Sequence, residues 1–290
     1  MVARDRLLYL PRRLYLSLGC TPRGAPTRRQ RHRHDRIKEY EEILKSATEH
    51  GYIVTSLEKY MGIMSQADIK VLVLRHDVDH RSGGTRLMFE AEKKYGVHAS
   101  YYFRKSTLDY SLMQDINHYG SEASFHFETI AEYAILHGIE SKKDLPDSWQ
   151  KDCLGALKSD LQYLRSMYRL PIRTIASHGA AENNKIGISN NVLTEYTSTY
   201  NELGILVEAY NSDMIDTFEK YVSDTVIECN DGYRYGESPL QLIKQDVKRI
   251  CFLSHPNHWH YNKFKQIKKL VKSLIYPPTY NVEKFKRIKT

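Results

Sequence analysis

From residue 35 onward the chain alternates short apolar runs with longer amphipathic stretches. The runs cover residues 71–74, 99–103, 123–127, 172–176, 205–207, 226–227 and 250–253. They read as strands. Between them, apolar positions recur at helical spacing over residues 85–95, 108–119, 149–168 and 239–249. A first helix is expected from a cap at Asp35 to Glu49, with Ile37, Tyr40, Ile43 and Leu44 on one stripe and Gly51 as its stop. Strands alternating with helices predict βα units and a parallel sheet. With about seven such units, a single deformed (β/α) barrel fits better than an open sheet, because every polar cluster falls directly after a strand. In barrels of this kind the chemistry sits at the C-terminal strand ends.

A chain of 290 residues with 41% hydrophobic content has enough apolar surface for one large α/β domain. Its net charge of +8 suggests a polyanionic partner until the charge is mapped along the chain. Residues 1–35 carry +7 and residues 261–290 carry +8, which leaves −7 for everything between. A mildly acidic middle does not make a nucleic-acid groove, and no nucleic-acid partner is expected. The division expected is a basic, disordered tail over 1–34, a barrel over 35–260, and a basic C-terminal helix and tail over 261–290. The Arg-rich start also has the composition of an organellar transit peptide, but a tail is the simpler reading.

In the last segment Phe264, Ile267, Val271 and Leu274 follow a helical spacing among Lys263, Lys265, Lys268, Lys269 and Lys272. A terminal helix packed on the barrel explains this. The functional alternative is weak peripheral contact with an anionic membrane. Cys20, Cys153, Cys229 and Cys251 show no metal-binding spacing and read as free thiols. Arg12 and Arg13 split the only apolar stretch near the start, so a cytoplasmic location is expected.

Four strand ends carry Asp or His. The run 71–74 leads into Arg75-His76-Asp77-Val78-Asp79-His80, where two carboxylates two residues apart can serve one metal site. Alone, such a pair is more often a turn with a helix cap. Here it is joined by Phe125-His126-Phe127-Glu128, by Ala176-Ser177-His178-Gly179 and by Leu253-Ser254-His255-Pro256-Asn257-His258-Trp259. Packing alone does not explain four such ends, which together predict a divalent metal with an acid/base pair. The turn Asp231-Gly232-Tyr233-Arg234-Tyr235 is read as a plain loop, with part of a substrate rim as the alternative.

These motifs resemble the polysaccharide deacetylase, or NodB-homology, superfamily of carbohydrate esterases. They are most similar to a branch whose first motif reads Arg-His-Asp-Val-Asp. The resemblance spans residues 35–259 in motif order and implies a deformed β/α barrel, a bound divalent ion and hydrolysis of an N- or O-acetyl group on a sugar or polysaccharide precursor. It implies Asp77 as the base, Asp79 and His126 as metal ligands, and His255 as the acid toward the leaving group. Two departures stand out: Ile130 occupies the place of the second metal histidine, and Ser177-His178-Gly179 replaces the Arg-rich motif that orients the base.

The missing ligand is then His178, a nitrogen donor at an adjacent strand end, with Glu128, two residues beyond His126, as the alternative. His76 and His80 are expected to point away from the Asp side. Arg75 and Trp259 are assigned to substrate contact, with a core position as the competing reading of Trp259. The mixed His/Asp set favours zinc. Two alternatives to a deacetylase remain: a non-catalytic carbohydrate-binding or scaffold relative on the same barrel, and a hydrolase of another C–N amide bond.

Overall fold

The computed structural model describes residues 36–66, 68–227 and 232–260. Residues 1–34, Asp35, Cys20, Cys229, Asp231 and 261–290 lie outside the described residues, and with them the expected tail, first cap and C-terminal helix. Eight described strands run parallel: β1 (Ile53–Thr55), β2 (Val71–Val78), β3 (Ser100–Phe103), β4 (Glu122–Phe127), β5 (Thr174–Ser177), β6 (Val207–Glu208), β7 (Lys220–Ser223) and β8 (Arg249–Ser254). Their order is β6-β5-β4-β3-β2-β8-β7, with β1 on β2. β8 lines one edge of β2 over Val71–His76, so β1 and β3 share the other edge, β1 against its first half and β3 against its second.

The sheet is curled. β6 lies four strands from β2, which in a flat sheet means about 19 Å at ~4.8 Å per strand. Yet Tyr210, just past β6, donates its hydroxyl to Asp77 on β2 at 3.1 Å. Only a sheet rolled toward closure brings those residues together. The roll stops short of a full barrel, because β6 and β7 end the sheet without pairing. The architecture is therefore the deformed α/β barrel that the alternating pattern predicts.

The helices that cover the sheet begin with α1 (Ile37–Glu49), α2 (Leu57–Met61), α3 (Gly83–Tyr95), α4 (Tyr110–His118) and α5 (Thr129–His137). They continue with α6 (Trp149–Tyr168), α7 (Ala181–Ile186), α8 (Thr197–Leu203), α9 (Ser212–Ile215), α10 (Pro239–Lys244) and α11 (Pro256–Trp259). Local chemistry sets several ends. Ser56 and Asp109 accept from the third backbone N–H of α2 and α4, and Ser238 and Gln241 close a capping box around Pro239 at the start of α10. Gly84 allows α3 to lie against α11, since a Cβ there would stand 2.0 Å from the Pro256 carbonyl oxygen.

Some expectations need correction. Residues 226–227 form no strand; the strand is Lys220–Ser223. That strand lies on a sheet edge and starts on an exposed Lys220, so only Tyr221-Val222 reads as apolar, too short to register. β1 was missed for the same reason of length. The helix expected over 239–249 ends at Lys244, where the chain reaches Asp246 at φ 64° before β8. β2 continues past Leu74 through Arg75, His76 and Asp77, all buried, because the interior supplies partners for each. Cys153 and Cys251 are buried free thiols. No helix among the described residues is long and apolar enough to cross a membrane.

The barrel interior is unusually polar at its base. Ser100 and Thr174 donate to the buried Glu122 carboxylate, and Tyr102 meets Thr174 at 2.6 Å. Burial outweighs these hydrogen bonds and pushes the Glu122 carboxyl up to about 7, above its ordinary 4.5. A carboxyl whose pKa rises on folding favours the folded state below its unfolded value and loses that contribution as pH climbs through the folded value. Urea unfolding of wild type and Glu122→Gln should show a stability gap that shifts in the variant's favour between pH 4.5 and 8. The shift should be on the order of 3 kcal/mol, and a pH-independent gap would contradict this account of Glu122.

Candidate metal centre and active site

Alternation along β2 sends Arg75 and Asp77 into the barrel and His76 to the outer face. Arg75 is 1% exposed and grips Asp77 through two parallel hydrogen bonds, Nε to Oδ1 and Nη2 to Oδ2, each 2.9 Å. Its remaining nitrogen donates to the Ala209 carbonyl at 3.1 Å, and its guanidinium lies 3.8 Å from the Tyr210 ring centroid. Burial opposes the charge on Asp77, but Arg75, followed by His126, holds the carboxyl below its usual range. Asp77 is therefore an ionised, oriented acceptor.

Asp79 follows the strand end. Its Oδ1 is buried and makes no well-formed hydrogen bond, yet it faces His126 Nε2 at 3.3 Å and His178 Nε2 at 3.6 Å. A tetrahedral ion with bonds of ~2.1 Å holds its donor atoms about 3.4 Å apart, so the spacing suits a zinc-sized cation. Both imidazoles are aimed from behind. His126 Nδ1 lies 2.9 Å from the Ala176 carbonyl, which can only accept, so Nδ1 carries the hydrogen and Nε2 is free to coordinate. His178 Nδ1 faces Glu128 Oε2 at 3.2 Å, a contact rather than an aligned hydrogen bond.

The charges agree with this arrangement. Burial opposes ionisation of Asp79, but the contact with His126 and the charges of His255, His126 and His178 hold its carboxyl far below the usual range. Against burial, Asp77 and Asp79 push His126 up, so the cluster attracts positive charge. The group Asp79, His126 and His178 offers three converging donors, which suits a divalent cation with a fourth position left for water or substrate.

Glu128 stands outside this group. Arg104 holds it with Nε at 3.2 Å and Nη2 at 2.6 Å while donating to the Asp79 carbonyl at 3.3 Å. Burial opposes its charge, yet His178 and Arg104 hold its carboxyl at about 2. Glu128 thus braces His178 from behind. Ile130 is buried in the core and offers no donor; the second imidazole arrives from β5 instead.

Opposite the cluster, His255 Nε2 lies 3.8 Å from Asp79 Oδ2. Its Nδ1 meets the buried Asp224 Oδ1 at 2.6 Å, and Asp224 Oδ2 also accepts from the His255 backbone N–H at 2.8 Å and from Trp259 Nε1 at 2.7 Å. Burial works against a charged His255, but Asp224, then Asp79 and Asp77, push the imidazole up to about 9. At neutral pH it carries a proton with Nε2 toward the site. Asp224, His255 and His258 also form a donor cluster. Three hydrogen bonds already occupy the Asp224 oxygens, however, and they make it an aspartate–imidazolium pair.

Two assigned roles are overturned. Trp259 is 0% exposed, packed on Tyr40 and Phe252, with its indole N–H spent on Asp224; it has no face for a sugar. Arg75 is buried beneath the site and holds Asp77 rather than a ligand. Asp77, Asp79, His126, His178 and His255 do converge, whereas His76 faces away and His80 is exposed. Sequence reasoning missed Arg104, Tyr210 and Asp224. Asp224 directly follows β7, so the strand-end rule finds it once that strand is placed at Lys220–Ser223.

Comparison of the sequence with family models and with curated proteins gives no match. Among solved structures, the chain is similar to the deacetylase PplD of Streptococcus pyogenes in complex with acetate, at 13% identity and TM-score 0.39, covering 77% of this chain and 84% of that one. It is also similar to a mutant of a CE4 family pseudoenzyme with restored enzymatic activity, at 12% identity and TM-score 0.41, covering 72% and 63%. A third is the peptidoglycan deacetylase PdaC from Bacillus subtilis, at 12% identity and TM-score 0.30, covering 72% and 96%.

Removing one member of a buried ion pair leaves the other uncompensated. Arg75→Met should therefore cost about 3–5 kcal/mol in chemical denaturation, and Arg75→Met combined with Asp77→Leu should recover most of that loss. Equal stability of the single and double variants would show that the pair is not coupled.

Proposed function

We propose that the protein is a metal-dependent hydrolase that removes an N- or O-linked acetyl group from a sugar or polysaccharide precursor, with zinc as the preferred cation. The observation that carries this reading is the buried, unpartnered Asp79 Oδ1 facing two imidazole Nε2 atoms, with Asp77 on one side and His255 on the other. Asp79, His126 and His178 would hold the cation. When bound, it polarises a carbonyl oxygen and lowers the pKa of water.

The chain's own groups then divide the proton transfers. Asp77, ionised by its fork to Arg75, accepts the proton of the attacking water through an oxygen that Arg75 and Tyr210 hold in place. His255 holds a proton at Nε2 and delivers it to the leaving sugar nitrogen or oxygen. Asp224 keeps that imidazole charged and fixed in orientation. A base below neutrality and an acid above it are the pairing that hydrolysis at neutral pH requires. The acetylated sugar as substrate rests on the likeness of the Arg75 to Asp79 and Phe252 to Trp259 segments to carbohydrate deacetylases.

Acetate release from N- and O-acetylated oligosaccharides by the zinc-loaded full chain is the direct test. Absence of release from every such substrate by metal-replete protein would sink the activity. Asp77→Asn should lower kcat about 10²- to 10⁴-fold with metal content by mass spectrometry unchanged, and an active, metal-loaded Asp77→Asn would remove the role given to Asp77. In metal titrations His178→Ala should weaken binding more than Glu128→Gln, for which a 10- to 100-fold loss is expected. The reverse order would reassign the third ligand.

A further inference from the structure

The outer face of β2 carries a second buried polar chain that plays no part in the chemistry above. His76 Nε2 meets Glu92 Oε1 of α3 at 2.7 Å, and His76 Nδ1 meets Ser254 Oγ of β8 at 2.6 Å. Tyr40 of α1 donates to the same Glu92 oxygen at 2.7 Å. His76, Glu92 and Ser254 are each 0% exposed. The order carboxylate, imidazole, hydroxyl is that of a nucleophilic triad, but no substrate reaches a fully buried Oγ.

Its position in the sheet suggests another use. His76 and Ser254 are register partners across β2 and β8, and each is followed by one of the two proton-transfer groups, Asp77 and His255. The link therefore ties both strand ends one residue below the reacting level. α3 reaches the same strand end a second time, where Gly84 lies against the Pro256 carbonyl just beyond His255. The His76 ring also packs against Tyr40 and Tyr101, but packing alone does not require its polar partners. Glu92 Oε2 and the nearby Tyr101 hydroxyl are buried without a well-formed hydrogen bond, a cost that an apolar cluster of the same size would not carry.

We infer that His76, Glu92 and Ser254 are positioning residues that fix the His255 imidazole relative to Asp79, acting from α3 through the β2–β8 register. The inference rests on the proposed role of His255 as acid, and its test separates the two. In zinc-loaded full chain, Ser254→Ala and Glu92→Gln should lower kcat about 10- to 100-fold on the acetylated sugar that wild type hydrolyses, with KM within about twofold. Both variants should hydrolyse 4-nitrophenyl acetate within about twofold of wild type, because its leaving group needs no proton. Crystal structures of the same variants should show His255 displaced by about 0.5 Å or more from its wild-type distance to Asp79, with His126 and His178 unmoved. Equal losses on both substrates, or an unmoved imidazole, would overturn the inference. If wild type releases no acetate, the deacetylase reading fails and the imidazole position alone decides.

Discussion

A guanidinium and a carboxylate locked together inside a barrel constrain much of the structure around them. Arg75 and Asp77 sit on the inward face of the central strand, where an unpaired charge would be prohibitively costly. The pair answers this with two hydrogen bonds to each other, and the surplus donor of Arg75 reaches across the interior to the Ala209 carbonyl. That reach joins the central strand β2 to the end of β6, four strands away in the sheet order. One side chain thus supports the curl of the sheet through one nitrogen and keeps Asp77 ionised at the rim through the other two.

Around this pair the site follows one rule: each imidazole that faces the centre is backed by a group on another element. The Ala176 carbonyl of β5 holds His126 of β4, and Asp224 after β7 holds His255 after β8. Arg104 after β3 holds Glu128, which in turn faces His178. Each support comes from a neighbouring strand, so the parallel register that builds the sheet also aligns the imidazoles. A barrel whose strands all end at one rim makes this possible, because adjacent strand ends lie about 5 Å apart.

The apolar side of the structure carries the cost of this polar interior. On the outer face of the sheet, Tyr40, Phe89, Tyr101, Phe252 and Trp259 pack ring against ring among β3, β8, α1, α3 and α11. Trp259 joins the two regions, its ring in the core and its N–H on Asp224. The orientation of His255 therefore depends on core packing as well as on its hydrogen bond.

Much of this was legible in the chain. Short apolar runs between amphipathic stretches predict parallel βα units, and the Asp and His residues after those runs predict a shared rim, because a strand end is a local property of sequence. Asp77, Asp79, His126, His178 and His255 could be named on that basis. Partnership could not be read the same way. Whether Arg75 meets a substrate or Asp77, whether Trp259 faces solvent or core, and whether Glu128 joins His178 or braces it depend on what tertiary packing places beside each side chain, which local pattern does not encode. Asp224 was lost because an edge strand needs too little apolar surface to mark its place. Local periodicity determined the elements and their polar ends; strand pairing and the curl of the sheet, which brings Tyr210 to Asp77 from 133 positions away, decided which groups meet at the rim.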